Sequence, residues 1–380
     1  MGNKPVLAVV IGRFQAPHRG HDKLIRQAAN AADEVLVLIG SCWRPRSLKN
    51  PFTFAERRDL LSGMVRRAGL GNAVSFLPLI DTLYDDEAWV ANVRTAVSRH
   101  MRGRDMDVVL VGFSKDRSSE YLRWFGGPAG DGWRSEPASA VRFDGKCLNA
   151  TDLRDALLLG DPDDPALGVK FGEAEVNDLR ELISARAEPL RQVRLEGDMI
   201  RAYRAKTAEA EAVFGYPIPI NTADPIVIQS GHVLLVRRGA QPGKGLLALP
   251  GGHIDRGETA LQAAIRELIE ETGIDIPKGV LRGRISTKNG DLRNPADTRV
   301  FDHPDRSERG WVRTQAFRWE LEDRNRLEAV RGGDDAAEAL WVPISSLTPE
   351  NMFEDHFDIL QAMVPGVNFS YPALLAGHAL

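Results

Sequence analysis

VLAVVIGRFQAPHRGHDKLIRQAANAADEVLVLIG (6–40) reads as strand, loop, helix and strand. VLAVVIG (6–12) is apolar throughout, the pattern of a parallel strand covered on both faces. EVLVLIG (34–40) repeats it, and DKLIRQAANAAD between them has helical periodicity. A β-α-β unit of this kind places its ligand loop at the carboxyl end of the first strand. That loop is GRFQAPHRGH (12–21). His18 and His21 bracket Arg19-Gly20 where the helix begins. Two imidazoles beside the free amides of a helix start suit phosphate oxygens. Gly12 and Gly20 allow the backbone to come close. A single histidine here would point to packing; the pair, behind GRF, points to phosphate.

A second stretch, GHIDRGETALQAAIRELIEETGI (252–274), carries different chemistry. Gly252, Glu258, Arg266, Glu267, Leu268, Glu270, Glu271, Gly273 and Ile274 satisfy GX5EX7REUXEEXGU, where U is bulky and apolar. This is the pattern of the Nudix box. On a helix, Glu267, Glu270 and Glu271 fall at i, i+3 and i+4 and share a face. Three adjacent carboxylates repel one another unless a cation joins them. Magnesium or manganese, hard ions that also bridge to phosphates, suit such a face. Leu261, Ala264, Ile265 and Leu268 form the apolar side, and Gly273 ends the helix in left-handed geometry. Arg266 reads as an orienting partner for a neighbouring carboxylate. Taken alone, RELIEET fits a solvated acidic helix; the full spacing favours a metal site.

Composition sets the frame. At 380 residues the chain has room for two domains. It is 43% hydrophobic and 27% charged with a net charge of −4, so no basic surface invites nucleic acid. No run reaches the ~18 apolar residues that span a bilayer, and the apolar start enters a glycine-bearing motif as a buried strand would. Cys42 and Cys147 have no metal-ligand spacing and fit a reduced, cytoplasmic protein. Self-association into a homo-oligomer stays open.

GRFQAPHRGH resembles the (T/H)xGH signature of the nucleotidyltransferase superfamily. LKNPFTFAER (48–57), DTLYDDEAWV (81–90), VGFSKDRSSEYLRWF (111–125) and NATDLR (149–154) follow in order. With the box behind them, they resemble the family of nicotinamide mononucleotide adenylyltransferases fused to a Nudix hydrolase, over essentially the whole chain. The resemblance implies an α/β protein. A Rossmann-like nucleotidyltransferase domain, a parallel sheet with helices on both faces, would occupy 1–189. A helical linker would occupy 190–217, and a Nudix α/β/α sandwich 218–380.

It also implies two reactions. The mononucleotide phosphate attacks the α-phosphate of ATP, giving NAD and pyrophosphate. ADP-ribose is split with metal to AMP and ribose 5-phosphate. His18 and His21 would stabilise the transferring phosphate, with Gly12, Arg13 and Phe14 lining the loop. Thr151 would cap a helix from about Asp152, and Arg154 would reach the β- and γ-phosphates. Asn149 stands where serine is usual. Trp89 would stack on nicotinamide, as a flat electron-rich ring suits a cationic pyridinium. Asn50 and Arg57 would contact the mononucleotide. Gly112, Lys115 and Asp116 would lie at the binding edge of a further strand.

On the hydrolase side, Glu267, Glu270 and Glu271 would hold the metal. The base would be Glu271 or a later acid in GGDDAAEALW (332–341), namely Asp334, Asp335 or Glu338. FDHPDRSERGW (301–311) resembles the family's substrate loop, with Trp311 where relatives often carry a basic residue. Other substrates for the same folds, NADH or diadenosine polyphosphates among them, stay open. So does a sensor that binds without cleaving, though its helix need not keep three glutamates.

Overall fold

The computed structural model describes residues 4–113, 121–126, 131–275, 297–333 and 336–367. Lys115, Asp116, Asp334 and Asp335 lie outside these described residues. The chain divides into two compact units, Met1–Arg194 and Leu195–Leu380.

In the first unit a five-stranded parallel sheet has the order β3-β2-β1-β4-β5. Its strands are β1 (Val6–Gly12), β2 (Glu34–Ile39), β3 (Val74–Pro78), β4 (Asp107–Phe113) and β5 (Arg134–Ala138). β1 pairs with β2 from Leu7–Glu34 to Gly12–Ile39, and with β4 from Val6–Asp107 to Val9–Leu110. The strand order therefore reverses beside β1, where such sheets open a crevice at their carboxyl ends. The run VLAVVIG is apolar because both its faces are covered. Ala8 and Val10 pack with Leu24, Ile25 and Ala28 of α1 (Arg19–Ala31) and with Leu61, Met64 and Val65 of α2 (Phe54–Arg67). Leu7 and Val9, on the other face, are equally buried. α3 (Asp86–Met101) lies against β2. A small hairpin of β6 (Arg142–Phe143) and β7 (Lys146–Cys147) precedes α4 (Ala150–Leu159).

α5 (Ala166–Phe171), α6 (Glu173–Ala185) and the long α7 (Ala187–Phe214) follow. The helical stretch is interrupted at Arg186, and Pro189 falls in the first turn of α7. There its missing N–H deprives the helix of nothing.

The second unit is built on a seven-stranded mixed sheet. β8 (Ile220–Gln229) turns at Ser230-Gly231 into antiparallel β9 (His232–Arg238) and also pairs in parallel with β13 (Val312–Glu320). β10 (Leu247–Ala248) and β14 (Ala336–Pro343) pair with β9, β11 (Gly252–His253) with β8, and β12 (Asp297–Phe301) with β13. α8 (Ala260–Thr272) packs Ala263, Ala264 and Leu268 onto Ala223, Val227, Phe317 and Trp319. α9 (His356–Met363) closes the described part.

Candidate active sites

The phosphate loop of the first unit leaves β1 at Gly12. The loop is shorter than the sequence implies, because Arg19, Gly20 and His21 already form the first turn of α1. His18 is the N-cap. Its Nδ1 accepts from the Gly20 amide at 3.1 Å, and Nδ1 of His21 accepts from the His18 amide at 3.2 Å. A neutral imidazole that accepts at Nδ1 carries its proton on Nε2. The reciprocal cap thus fixes both tautomers and leaves both rings with an Nε2–H donor. The rings lie 4.1 Å apart between centroids, and Phe14 and Phe171 pack edgewise or tilted against them.

Gln15 is buried and locks the loop sideways. Its amide exchanges two hydrogen bonds with the Phe52 backbone, at 3.0 and 3.1 Å. Arg154 is also buried. It donates to the Leu48 carbonyl (3.0 Å), the Gln15 carbonyl (3.4 Å) and Thr151 Oγ1 (3.1 Å). NATDLR therefore reaches the phosphate loop, and Arg154 approaches it from beneath. The cap of α4 is Asn149, whose Oδ1 accepts from the Thr151 amide at 2.7 Å. This corrects the expectation that Thr151 caps a helix from Asp152. The helix begins at Ala150, and asparagine can take a place usual for serine because both set a side-chain oxygen over the first amides of a helix.

Arg57 is fully buried, and its five N–H groups all meet protein acceptors, which points to a role in holding the loops together rather than in direct contact with a ligand. Asn50 differs, because its buried Oδ1 has no hydrogen-bond partner among the described residues. Trp89 sits on the first turn of α3, half-buried, and packs edge-on against Tyr121 (5.5 Å) and Trp124 (6.0 Å). Its indole N–H donates to Asp81 at 3.3 Å. The same carboxylate accepts from the amide and hydroxyl of Ser41, at 2.6 and 2.7 Å. Asp81 thus ties the tryptophan to the end of β2. No spacing rule pairs residues 41, 81 and 89, so nothing in the chain's order points to this link. Gly112 lies near the carboxyl end of β4.

In the second unit the box forms α8 with Thr259 and Gln262 as a capping box. Gly273 takes left-handed geometry at φ 57° and closes the helix. Arg266 binds Glu258 (2.7 Å), Glu267 (2.8 Å), Glu270 (3.0 Å) and the His253 carbonyl (3.0 Å). It aligns two of the three facing glutamates, as its orienting role requires. A Cβ at Gly252 would fall 2.4 Å from Glu267 Oε1, so any side chain there would push that carboxylate out of its place on Arg266.

Glu271, half-buried, accepts from the Gly251 amide at 3.0 Å. Burial, with Glu267 nearby, pushes it up to about 8 although the amide opposes the shift. Among the described residues no three ligating side chains are already gathered as a coordination set. The donor chemistry nonetheless fits a hard divalent ion: three carboxylates on one helical face, one of them desolvated. Glu338 is corrected in place. It lies on strand β14, exposed, and pairs with Arg237 at 3.2 Å. The segment before the acidic pair does reach α8, since the Gly333 amide donates to the Glu271 carbonyl at 3.2 Å.

The link between β12 and β13 holds two ion pairs that sequence reading did not find. Arg306 and Asp355 form a buried two-pronged pair at 2.9 and 3.0 Å, and Arg309 meets Glu354 at 3.0 Å. Trp311 is exposed.

Comparison with known proteins finds a different family model on each half of the chain. A cytidylyltransferase-like family model matches residues 9–102, and a NUDIX domain model matches residues 221–363. The nicotinamide/nicotinic acid mononucleotide adenylyltransferase of Acinetobacter baylyi is 31% identical over 152 residues, 40% of this chain and 75% of that protein. The ADP-ribose pyrophosphatase of Methanocaldococcus jannaschii is 34% identical over 146 residues, 38% of this chain and 73% of that protein. A crystal structure of a bifunctional NMN adenylyltransferase/ADP ribose pyrophosphatase from Francisella tularensis aligns with 96% of this chain and 100% of its own. Its TM-score is 0.78 at 28% identity. A second structure of that Francisella protein is complexed with AMP and a manganese ion. With a cytidylyltransferase-like model on one half, a NUDIX model on the other and relatives matched over each, the chain belongs to the family of bifunctional nicotinamide mononucleotide adenylyltransferase/Nudix hydrolase enzymes.

Proposed function

We propose that the first unit joins ATP and nicotinamide mononucleotide to give NAD and pyrophosphate, and that the second hydrolyses ADP-ribose to AMP and ribose 5-phosphate. The observation that carries this is the presence on one chain of an Nε2–H histidine pair at a sheet crevice and a three-glutamate helix face. The named activities of the matched relatives support it. The two modules would span 1–189 and 218–380, joined by the helical 190–217, in a cytoplasmic enzyme of NAD biosynthesis. No described helix is long and apolar enough to cross a membrane.

In adenylyl transfer the phosphate of the mononucleotide attacks the α-phosphorus and pyrophosphate departs. Protein groups position the reactants and stabilise the charge that builds on the transferring phosphate. His18 and His21 donate from Nε2. Arg13 lines the loop beside them. Trp89 receives the nicotinamide ring, with Asn50 and the β4 end at Gly112 completing the pocket. In hydrolysis Glu267, Glu270 and Glu271 hold magnesium or manganese, and the ion supplies Lewis-acid activation of the diphosphate when bound. Arg266 keeps two of these carboxylates aligned. Glu271, which accepts from the Gly251 amide, is the proposed base that takes a proton from water.

Separate knock-outs test the scheme. His18→Ala abolishes NAD formation and leaves ADP-ribose hydrolysis within about twofold, because the latter owes nothing to that loop. Glu270→Gln does the reverse. Loss of both activities in either variant, with the fold intact by circular dichroism, would sink the two-site reading.

A further inference from the structure

A guanidinium has five N–H bonds, and Arg57 uses all of them inside the protein. Nε donates to the Thr53 carbonyl at 3.2 Å. Nη1 donates to the carbonyls of Arg13 and Gly40, the latter at 2.6 Å. Nη2 donates to the Ser41 carbonyl at 3.3 Å and to Cys42 Sγ at 3.7 Å. Burial pushes the Cys42 thiol up to about 12, so all five acceptors are neutral. The side chain thus joins the loop after β1, the loop after β2 and the N-cap of α2.

The consequence appears in the phosphate loop. In a trans peptide the carbonyl and the next residue's N–H point in opposite directions. Arg57 draws the Arg13 carbonyl inward, which turns the Phe14 amide away from the buried guanidinium. Arg154 holds the Gln15 carbonyl and turns the Ala16 amide in the same way. Phe14 and Ala16 take φ of 50° and 73°, a region that residues with a side chain seldom occupy. Left-handed residues are one ingredient of the backbone turns whose amides gather around an anion. Both residues are buried, and among the described residues neither amide donates to a protein acceptor. Buried amides rarely go unsatisfied, and strain held at such a place marks a functional site.

We infer that Arg57 is a positioning residue for adenylyl transfer: it fixes the Arg13–Phe14 peptide so that the Phe14 amide donates to a phosphate oxygen of the bound nucleotide. This rests on the adenylyltransferase reading of the same site. The phosphate belongs to ATP or to the mononucleotide, and separate KM values tell which.

The test uses the full-length protein. Phe14 is replaced by its α-hydroxy analogue, which exchanges the amide N–H for an ester oxygen and leaves the ring in place. Thermal stability should hold, because no protein acceptor loses a partner. The kcat/KM for dinucleotide formation should fall about tenfold or more, as expected when a hydrogen bond to a charged group is lost. The KM of one nucleotide should rise and that of the other should not, while hydrolysis by the second unit stays constant. Arg57→Lys keeps the charge and loses the fork, and should show the same selective loss. Combining the two changes should cost no more than either alone. Wild-type kinetics in the ester variant, or losses that multiply in the combined variant, would overturn the inference. Should Arg57→Lys not fold, the ester variant decides alone. If the unmodified protein forms no dinucleotide at all, the adenylyltransferase reading itself fails, and this inference with it.

Discussion

Trp89 shows how much of the first site rests on one ring. Its indole is held at the nitrogen by Asp81 and at the edge by Tyr121 and Trp124, so a face stays oriented without being packed flat. A cationic pyridinium over such a face gains about 0.5–2 kcal/mol. Trp89→Ala should therefore raise the KM of nicotinamide mononucleotide by about 3- to 30-fold and that of ATP by less, measured in steady-state assays of NAD formation. Equal effects on both would assign the residue to packing. Residue types with a fixed job were legible in the sequence: the histidine pair, the box glutamates, the glycines. Asp81, Arg57 and the Arg306–Asp355 pair were not, because they act through partners distant in the chain. Arg57 was assigned to this region from its motif, but its neighbours in sequence do not reveal that five acceptors surround it.

At the scale of elements, caps and buried polar groups decide where helices start and how firmly they dock. Asn149 caps α4 and so places both Thr151 and Arg154 at the phosphate loop. Asn149→Ala should cost about 1 kcal/mol in denaturant unfolding of the first unit, and Asn149→Ser should restore most of it. No change in the alanine variant would remove the cap from the account.

α9 docks differently. His356 is buried, and its Nδ1 accepts from the Leu249 amide at 2.8 Å. Burial, with Arg306 nearby, lowers it from 6.5 to about 3. The unfolded chain therefore binds a proton between these values that the folded chain refuses. The stability this represents is complete above about pH 6.5 and is lost as pH falls toward 3. Thermal melts of the wild type should decline across that window. His356→Gln, which still presents an acceptor and does not titrate there, should decline less; parallel curves would contradict the assignment. Strands and helices with clean periodicity were legible, β1, β2, β4, β8, β9 and α8 among them. β12 and the exact start of α4 were not. An exposed edge strand has no apolar alternation to read, and a cap is set by geometry that asparagine and threonine share.

At the scale of the whole molecule, two units with unrelated sheets each present a phosphate site, one at a parallel sheet's crevice and one on an acidic helix. One chemistry forms a phosphoanhydride and the other breaks one, and ADP-ribose is the portion of NAD that remains when nicotinamide is removed. That relation gives the pairing its sense. The measurement that tests it most directly is product analysis of the purified full-length protein with magnesium, by chromatography with mass detection. One arm offers ATP with a panel of mononucleotides, and the other offers ADP-ribose, NADH and diadenosine polyphosphates. The account predicts NAD and pyrophosphate from nicotinamide mononucleotide in the first arm. In the second it predicts AMP and ribose 5-phosphate from ADP-ribose, faster than any product from the other dinucleotides. Absence of NAD, or preferential cleavage of NADH or a diadenosine polyphosphate, would contradict it.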